Sequence, residues 1–237
     1  MRRLVLLTAM LLAVLAGDLF FAQPALAEGG SSNIVVQTIP GPTVAQKFTE
    51  RAKSSWPWYL VRGSGMVAAA ALVILLLSGI GQVTGYTFRF LEPLTAWASH
   101  RALGITFGVA ALVHIFSLLF DHFVAFNIWQ LLVPWLSTHK PVTIFGVHLG
   151  SLYVALGVLS FYLAALTIIV SLLWIEKKPR LWKITHLIAY VIIAFVFVHA
   201  LFLGTDLAHG FWRWLWIVSG AGVAIAILHR LWRARTV

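Results

Sequence analysis

The sequence predicts an all-α integral membrane helical bundle, and three observations carry that prediction. Of its 237 residues, 61% are hydrophobic and only 10% are charged, whereas a soluble domain has roughly a quarter of its residues charged. Five apolar stretches, at about 58–82, 97–121, 147–174, 181–204 and 211–232, are each long enough to cross a hydrocarbon core about 30 Å thick. The cations flank these stretches: Lys177, Lys178, Arg180 and Lys183 follow the third, and Arg230, Arg233 and Arg235 close the fifth. The net charge of +10 therefore reads as topology information, not as a nucleic-acid footprint.

Residues 1–27 open with Arg2 and Arg3, continue as the apolar run Leu4 to Leu15, and end in Ala25-Leu26-Ala27. Basic start, short apolar core and small-x-small terminus are the marks of a cleavable signal peptide, with cleavage expected after Ala27. Left uncleaved, the segment would add a sixth span. Residues 28–55 are rich in Gly, Ser, Pro and Thr without a sustained period, and are expected to form an exposed, weakly structured arm. With residue 28 outside, five crossings bring the chain to a cytoplasmic tail at 233–237. The lysines and arginines after the third and fifth spans then fall on the cytoplasmic side.

Tryptophans report the same boundaries. Indoles prefer the membrane interface, and Trp56, Trp58, Trp129, Trp135, Trp212, Trp214 and Trp216 fall at predicted outer ends or in the outer connection. Trp97, Trp174, Trp182 and Trp232 fall at inner ends. The longest outer connection, 122–146, contains the apolar run Asn127 to Leu136 and is expected to lie along the outer surface as an amphipathic segment.

Chemistry enters with the histidines. His100 and His114 stand 14 residues apart on the second span, and His186 and His199 stand 13 apart on the fourth. At 1.5 Å rise per residue each pair is separated by roughly 20 Å, so each helix offers one imidazole per leaflet. A polar ring inside a membrane needs a partner, and haem iron, bound by axial imidazoles, is the partner these four suggest. The chain has no cysteine, which removes disulfides, thiolate metal sites and iron–sulfur clusters from consideration. One feature of the spacing resists. Thirteen residues at 100° each turn through about 220°, so His186 and His199 do not share a face of a straight helix. Either the fourth span is deformed or its two ligands approach from different sides.

The arrangement HR-x12-H (His100, Arg101, His114) with H-x12-H (His186, His199), the opening WYLVRGSG at Trp58 to Gly65 and the closing HALFLGTD at His199 to Asp206 resemble the ferric reductase-like transmembrane domain. That superfamily includes ferric reductases, NADPH oxidases and the haem-bearing membrane subunit of bacterial methionine-sulfoxide reductase systems. The resemblance covers about residues 56–232. It implies that His100 and His186 bind a haem on the cytoplasmic side and His114 and His199 one on the outer side.

Four further residues are candidates for holding the cofactor. Arg62 in the first span and Arg101 beside His100 are cations in or near the membrane that a haem propionate would neutralise, the alternative being snorkelling to lipid phosphate. Gly104 and Gly108 make a small-xxx-small face between the histidines of the second span, giving either close helix packing or room for a porphyrin. Asp121, Asp206, His122 and His209 could form an outer metal or substrate site, but solvated loop residues are the simpler reading; His139, His148 and His229 can also reach water. Gly63-Ser64-Gly65 and Gly79-Ile80-Gly81 look like nucleotide loops but lie in or beside a span, where a phosphate loop has no strand to follow.

These observations lead to an expected membrane b-type cytochrome with two haems, carrying electrons from the cytoplasmic side to an outer acceptor as an oxidoreductase or its electron-transfer subunit. The chain carries no flavin or nicotinamide domain, so the donor is expected to be a separate cytoplasmic flavoprotein or a quinol. Ferric iron, oxygen and an outer partner protein are the candidate acceptors. The expected location is a bacterial-type inner membrane. The alternative is a non-redox polytopic protein, a transporter subunit or assembly factor whose histidines pack; transporters commonly show internal repeats or broken helices with mid-membrane acids, and neither is expected in these spans.

Overall fold

A computed structural model describes residues 43–236. The signal peptide expected over 1–27 lies outside the described residues. By its internal packing the chain divides into Met1–Trp56 and Pro57–Val237.

Seven α-helices and one short hairpin are present among the described residues: α1 (Val44–Thr84), α2 (Pro93–Leu118), α3 (Ile128–Leu132), β1 (Thr143–Ile144), β2 (Val147–His148), α4 (Leu152–Trp174), α5 (Pro179–Leu187), α6 (Ala189–Leu203) and α7 (Gly210–Thr236). Five helical stretches are long and apolar enough to cross a membrane: Ser54–Thr84, Pro93–Leu118, Leu152–Trp174, Pro179–Leu203 and Gly210–Arg233. The all-α membrane bundle is therefore the architecture, with boundaries within a few residues of those read from hydropathy. The arm expected over 28–55 is corrected where it is described. Helix α1 already begins at Val44, because Thr43 and Gln46 close an N-terminal cap in which the Gln46 amide N–H donates to Thr43 Oγ1 at 3.3 Å. The unit boundary falls at Pro57, inside this helix, where a backbone donor is missing.

Proline also sets the starts of two other spans. Pro93 and Pro179 stand at the first positions of α2 and α5, where the absent N–H would have had no helical acceptor. In the connection between the second and third spans, α3 carries a complete capping box: Asn127 Oδ1 accepts from the Gln130 amide at 2.9 Å, and Gln130 Oε1 accepts from the Asn127 amide at 3.0 Å. The two-residue strands pair antiparallel, Thr143 with His148 and Ile144 with Val147.

Small residues mediate the helix contacts. Ala68, Ala71, Ala110 and Ala164 are buried with Leu72, Leu76, Ile80, Phe107, Ile192, Ile193 and Val223 in one cluster. Large apolar residues such as Val109, Leu112, Phe116, Ile169, Val218 and Leu228 are exposed. That inversion fits helices solvated by lipid, where close backbone approach and satisfied polar groups, not burial of large side chains, hold a bundle together. Buried hydroxyls accordingly bond to carbonyls of their own helices: Ser117 to Val113 at 2.7 Å, Ser160 to Gly157 at 2.8 Å and Thr167 to Leu163 at 2.8 Å.

The fourth span is broken. Helix α5 ends at Leu187 and α6 starts at Ala189, with Ile188 between them in a tightened turn. Its amide donates to Thr185 O at 3.1 Å, and Val191 N–H donates to Ile188 O at 2.8 Å, both three-residue bonds. Such a turn advances about 120° per residue instead of 100°. The added rotation acts in the sense that brings His186 and His199 toward one face, so of the two possibilities left open by the 13-residue spacing, the deformed helix is the one observed.

Candidate functional site: four histidines backed by the neighbouring helices

Each of the four intramembrane histidines is held at Nδ1 by an oxygen of the preceding antiparallel helix. His114 Nδ1–H donates to Val61 O at 2.8 Å, and His199 Nδ1–H donates to Tyr153 O at 2.8 Å. A carbonyl only accepts, so in both rings Nδ1 carries the proton and Nε2 is left with its lone pair. His100 Nδ1 lies 2.9 Å from Ser78 Oγ, whose own proton goes to Leu75 O at 2.9 Å, so the serine oxygen accepts from the ring. His186 Nδ1 approaches Ser171 Oγ at 3.4 Å, the longest of the four. This is the tautomer and orientation that a metal-ligating histidine takes when a second group fixes it from behind.

Glycine makes that backing possible. A Cβ at Gly79 would meet His100 Cε1 at 2.9 Å, one at Gly65 would meet His114 Nδ1 at 3.1 Å, and one at Gly157 would meet His199 Cε1 and Nδ1 at 2.6 Å. Gly65 and Gly79 stand 14 residues apart on α1, matching the spacing of His114 and His100 on α2. On α4 the backing residues Gly157 and Ser171 are also 14 apart. The glycine motifs set aside as poor nucleotide loops thus include the two residues against which α2 presses its histidines. A 14-residue glycine spacing matching that of the next helix's histidines was the available signal.

The expected inner pair does meet. His100 and His186 have ring centroids 6.0 Å apart with planes inclined at 45°. Two imidazoles bonded through Nε2 to one metal ion at roughly 2 Å per bond have centroids about 6 Å apart, so this spacing suits a shared ion. For the outer pair, His114 is an electrostatic neighbour of His199. Among the described residues no three His, Cys, Asp or Glu side chains converge. Among the described residues the arrangement therefore shows one close histidine pair, His100 with His186, and no closed four-ligand cage of the structural zinc type.

The other predicted site residues are placed differently. Arg62 forms a bidentate ion pair with Asp206, Nε to Oδ2 at 2.9 Å and Nη2 to Oδ1, and lies over the Trp58 ring at 4.1 Å. Its charge is already neutralised by the chain. Arg101 is exposed and lies over Trp97 at 5.6 Å. At Gly104 the neighbouring side chain is Leu75, 3.9 Å from a built Cβ, and at Gly108 it is Ile168, at 3.0 Å. Both glycines thus receive packed side chains.

Nor do the acids and histidines expected on the outer side gather. Asp206 belongs to Arg62, and Asp121 is buried and accepts from the Phe123 amide at 3.0 Å. His122 and His209 are exposed. His148 Nδ1 meets Thr143 Oγ1 at 2.9 Å across the hairpin, and His229 lies 6.2 Å from the Tyr86 ring. His139 packs edge-on against Phe126, its pKa lowered by burial and then by the adjacent Lys140. The chain matches no protein-family model, no curated protein and no solved structure.

Proposed function

We propose that the chain is a membrane b-type cytochrome of the ferric reductase-like kind, binding two haems between α2 and the broken span α5–α6. His100 and His186 would be the axial ligands of the inner haem, and His114 and His199 those of the outer one. The observation that carries this reading is the shared Nδ1 anchoring of all four rings, which leaves the Nε2 lone pairs of His100, His114 and His199 free to ligate. Two neighbouring imidazoles with no third protein ligand among the described residues suit a macrocycle that brings four nitrogens of its own. Haem would supply one-electron chemistry; the protein's part is ligation, orientation and exclusion of water.

In this reading electrons pass from a cytoplasmic flavoprotein or a quinol to an acceptor on the outer side, in an inner membrane with the C-terminus cytoplasmic. The basic inner rim of Arg89, Lys177, Lys178, Arg180, Arg233 and Arg235 would steer an acidic flavoprotein, and its reduction rate would then fall with salt. Anchoring to anionic headgroups would use the same cations and leave that rate unchanged.

The break at Ile188 is the one observation that favours a transporter-like alternative, because interrupted helices often line substrate paths. No Asp or Glu lies in any of the five spans, however, so the break has no acid to work with. A reduced-minus-oxidised absorption spectrum of protein purified from haem-replete cells separates the two. Low-spin bis-imidazole bands at two haems per chain are expected. A haem-free preparation would remove the cytochrome reading and leave the transporter one.

A further inference from the structure

Two groups beside the inner histidine pair lack the partners their chemistry calls for. Trp182 stands one turn before His186 on α5, its ring 5.1 Å from the imidazole and inclined at 34°. The indole Nε1 is buried and has no hydrogen-bond partner among the described residues. An indole N–H can only donate, and a buried donor left unmatched is unfavourable enough to need an explanation.

Arg230 on α7 is the second group. One guanidinium N–H donates to the Tyr190 hydroxyl, Cζ lies 5.5 Å from the centre of the Tyr190 ring, and the charge acts on His186. The single ion pair among the described residues is that of Arg62 with Asp206, so none of their carboxylates neutralises Arg230. Trp182, His186 and Tyr190 follow one another at four-residue intervals along the fourth span, so the orphan donor and the group that holds Arg230 flank the ligand. A neutral donor and an uncompensated cation bracketing one histidine make a site for an anion.

We infer that Trp182 and Arg230 bind the porphyrin carboxylates at the inner site, a role the sequence alone would give to Arg101. This assignment rests on the haem reading. Arg101 lies exposed over Trp97, and Arg62 is already held by Asp206, whereas Trp182 lies against His186, Arg230 is held at Tyr190 one turn further on, and both have capacity to spare. Charge-assisted hydrogen bonds from these two groups to propionate oxygens satisfy the indole and neutralise the guanidinium together.

The test uses haem-free full-length protein carrying His199→Ala, which leaves the inner pair alone, titrated with haem and with haem dimethyl ester. Soret absorbance and porphyrin retained per chain after gel filtration are the readouts. In the His199→Ala parent, haem should bind at least about tenfold more tightly than its ester, since one lost charge-assisted bond is worth that much. Trp182→Phe and Arg230→Gln should each lose most of that preference while binding the ester as the parent does. Equal affinities for haem and ester in the parent, or variants that weaken both ligands alike, would overturn the assignment while leaving haem binding intact. Undiminished haem affinity in Arg230→Gln with lost binding of an anionic phospholipid would assign that guanidinium to a headgroup and likewise overturn it. A parent that binds neither porphyrin refutes the haem reading itself.

Discussion

A methyl group added at Gly157 would lie 2.6 Å from two ring atoms of His199, closer than any packed carbon tolerates. The ring would have to leave Tyr153 O, so Gly157→Ala should cost the outer haem and spare the inner one. Gly79→Ala should act on the inner haem through His100, and Gly65→Ala more mildly on the outer one, following built contacts of 2.9 and 3.1 Å. Gly222→Ala, with open space around it, is the control expected to change nothing. Haem per chain and the reduced spectrum read all four variants. The ligands themselves should fall into matching pairs: His114 and His199 variants lose or alter one haem, and His100 and His186 variants the other. Potentiometric titrations in which His100 resembled His114 instead of His186 would break the two-leaflet arrangement, because no iron bridges the roughly 20 Å along one helix.

Between elements, the bond from Arg62 to Asp206 ties α1 to the turn after α6 across 144 residues of sequence. Both side chains are about four-fifths buried, at 21% and 18% exposure, so the pair escapes much of the solvent screening that weakens surface bridges. Removing either partner strands the other charge. Arg62→Ala and Asp206→Ala should therefore lower thermal stability in detergent by similar amounts. The double variant should be little worse, with a coupling of about 1–3 kcal/mol. Strictly additive losses would mean that the two groups act separately. The pair also bears on the proposed outer haem site, since Arg62 adjoins Val61, whose carbonyl orients His114. Both single variants should broaden or shift the outer haem spectrum before they affect the inner one.

Across the whole molecule, five crossings and the placement of Lys177, Lys178, Arg180 and Lys183 predict one orientation. Reporter fusions at Lys178 and at Val237 should both report cytoplasm. A periplasmic signal at either position would reverse the proposed electron direction without touching the haem assignment. The bundle itself was legible in the sequence because a membrane span is a local property: about twenty apolar residues, bounded by proline, tryptophan and cations, suffice to define it. The opening helix was not legible. Residues 44–55 are mostly polar, with only Val44, Phe48 and Ala52 as a thin row at four-residue spacing, yet they continue the helix from Val44, started by the Thr43 cap and carried past Pro57.

The candidate site divides along the same line. The number of spans and the spacing of the four histidines along them followed from composition and helical rise alone, since each depends only on residues near in sequence. The 13-residue interval between His186 and His199 announced a deformed helix or divergent ligands, and only the tertiary structure decided for a break at Ile188. It also decided which oxygen holds each Nδ1, which glycines lie under the rings, that Asp206 takes Arg62, that the Trp182 indole stands unsatisfied beside His186, and that Arg230 rests on Tyr190 without a carboxylate. These are contacts between helices far apart in the chain, and residue periodicity says which face of a helix is apolar without saying which residue of another helix will meet it.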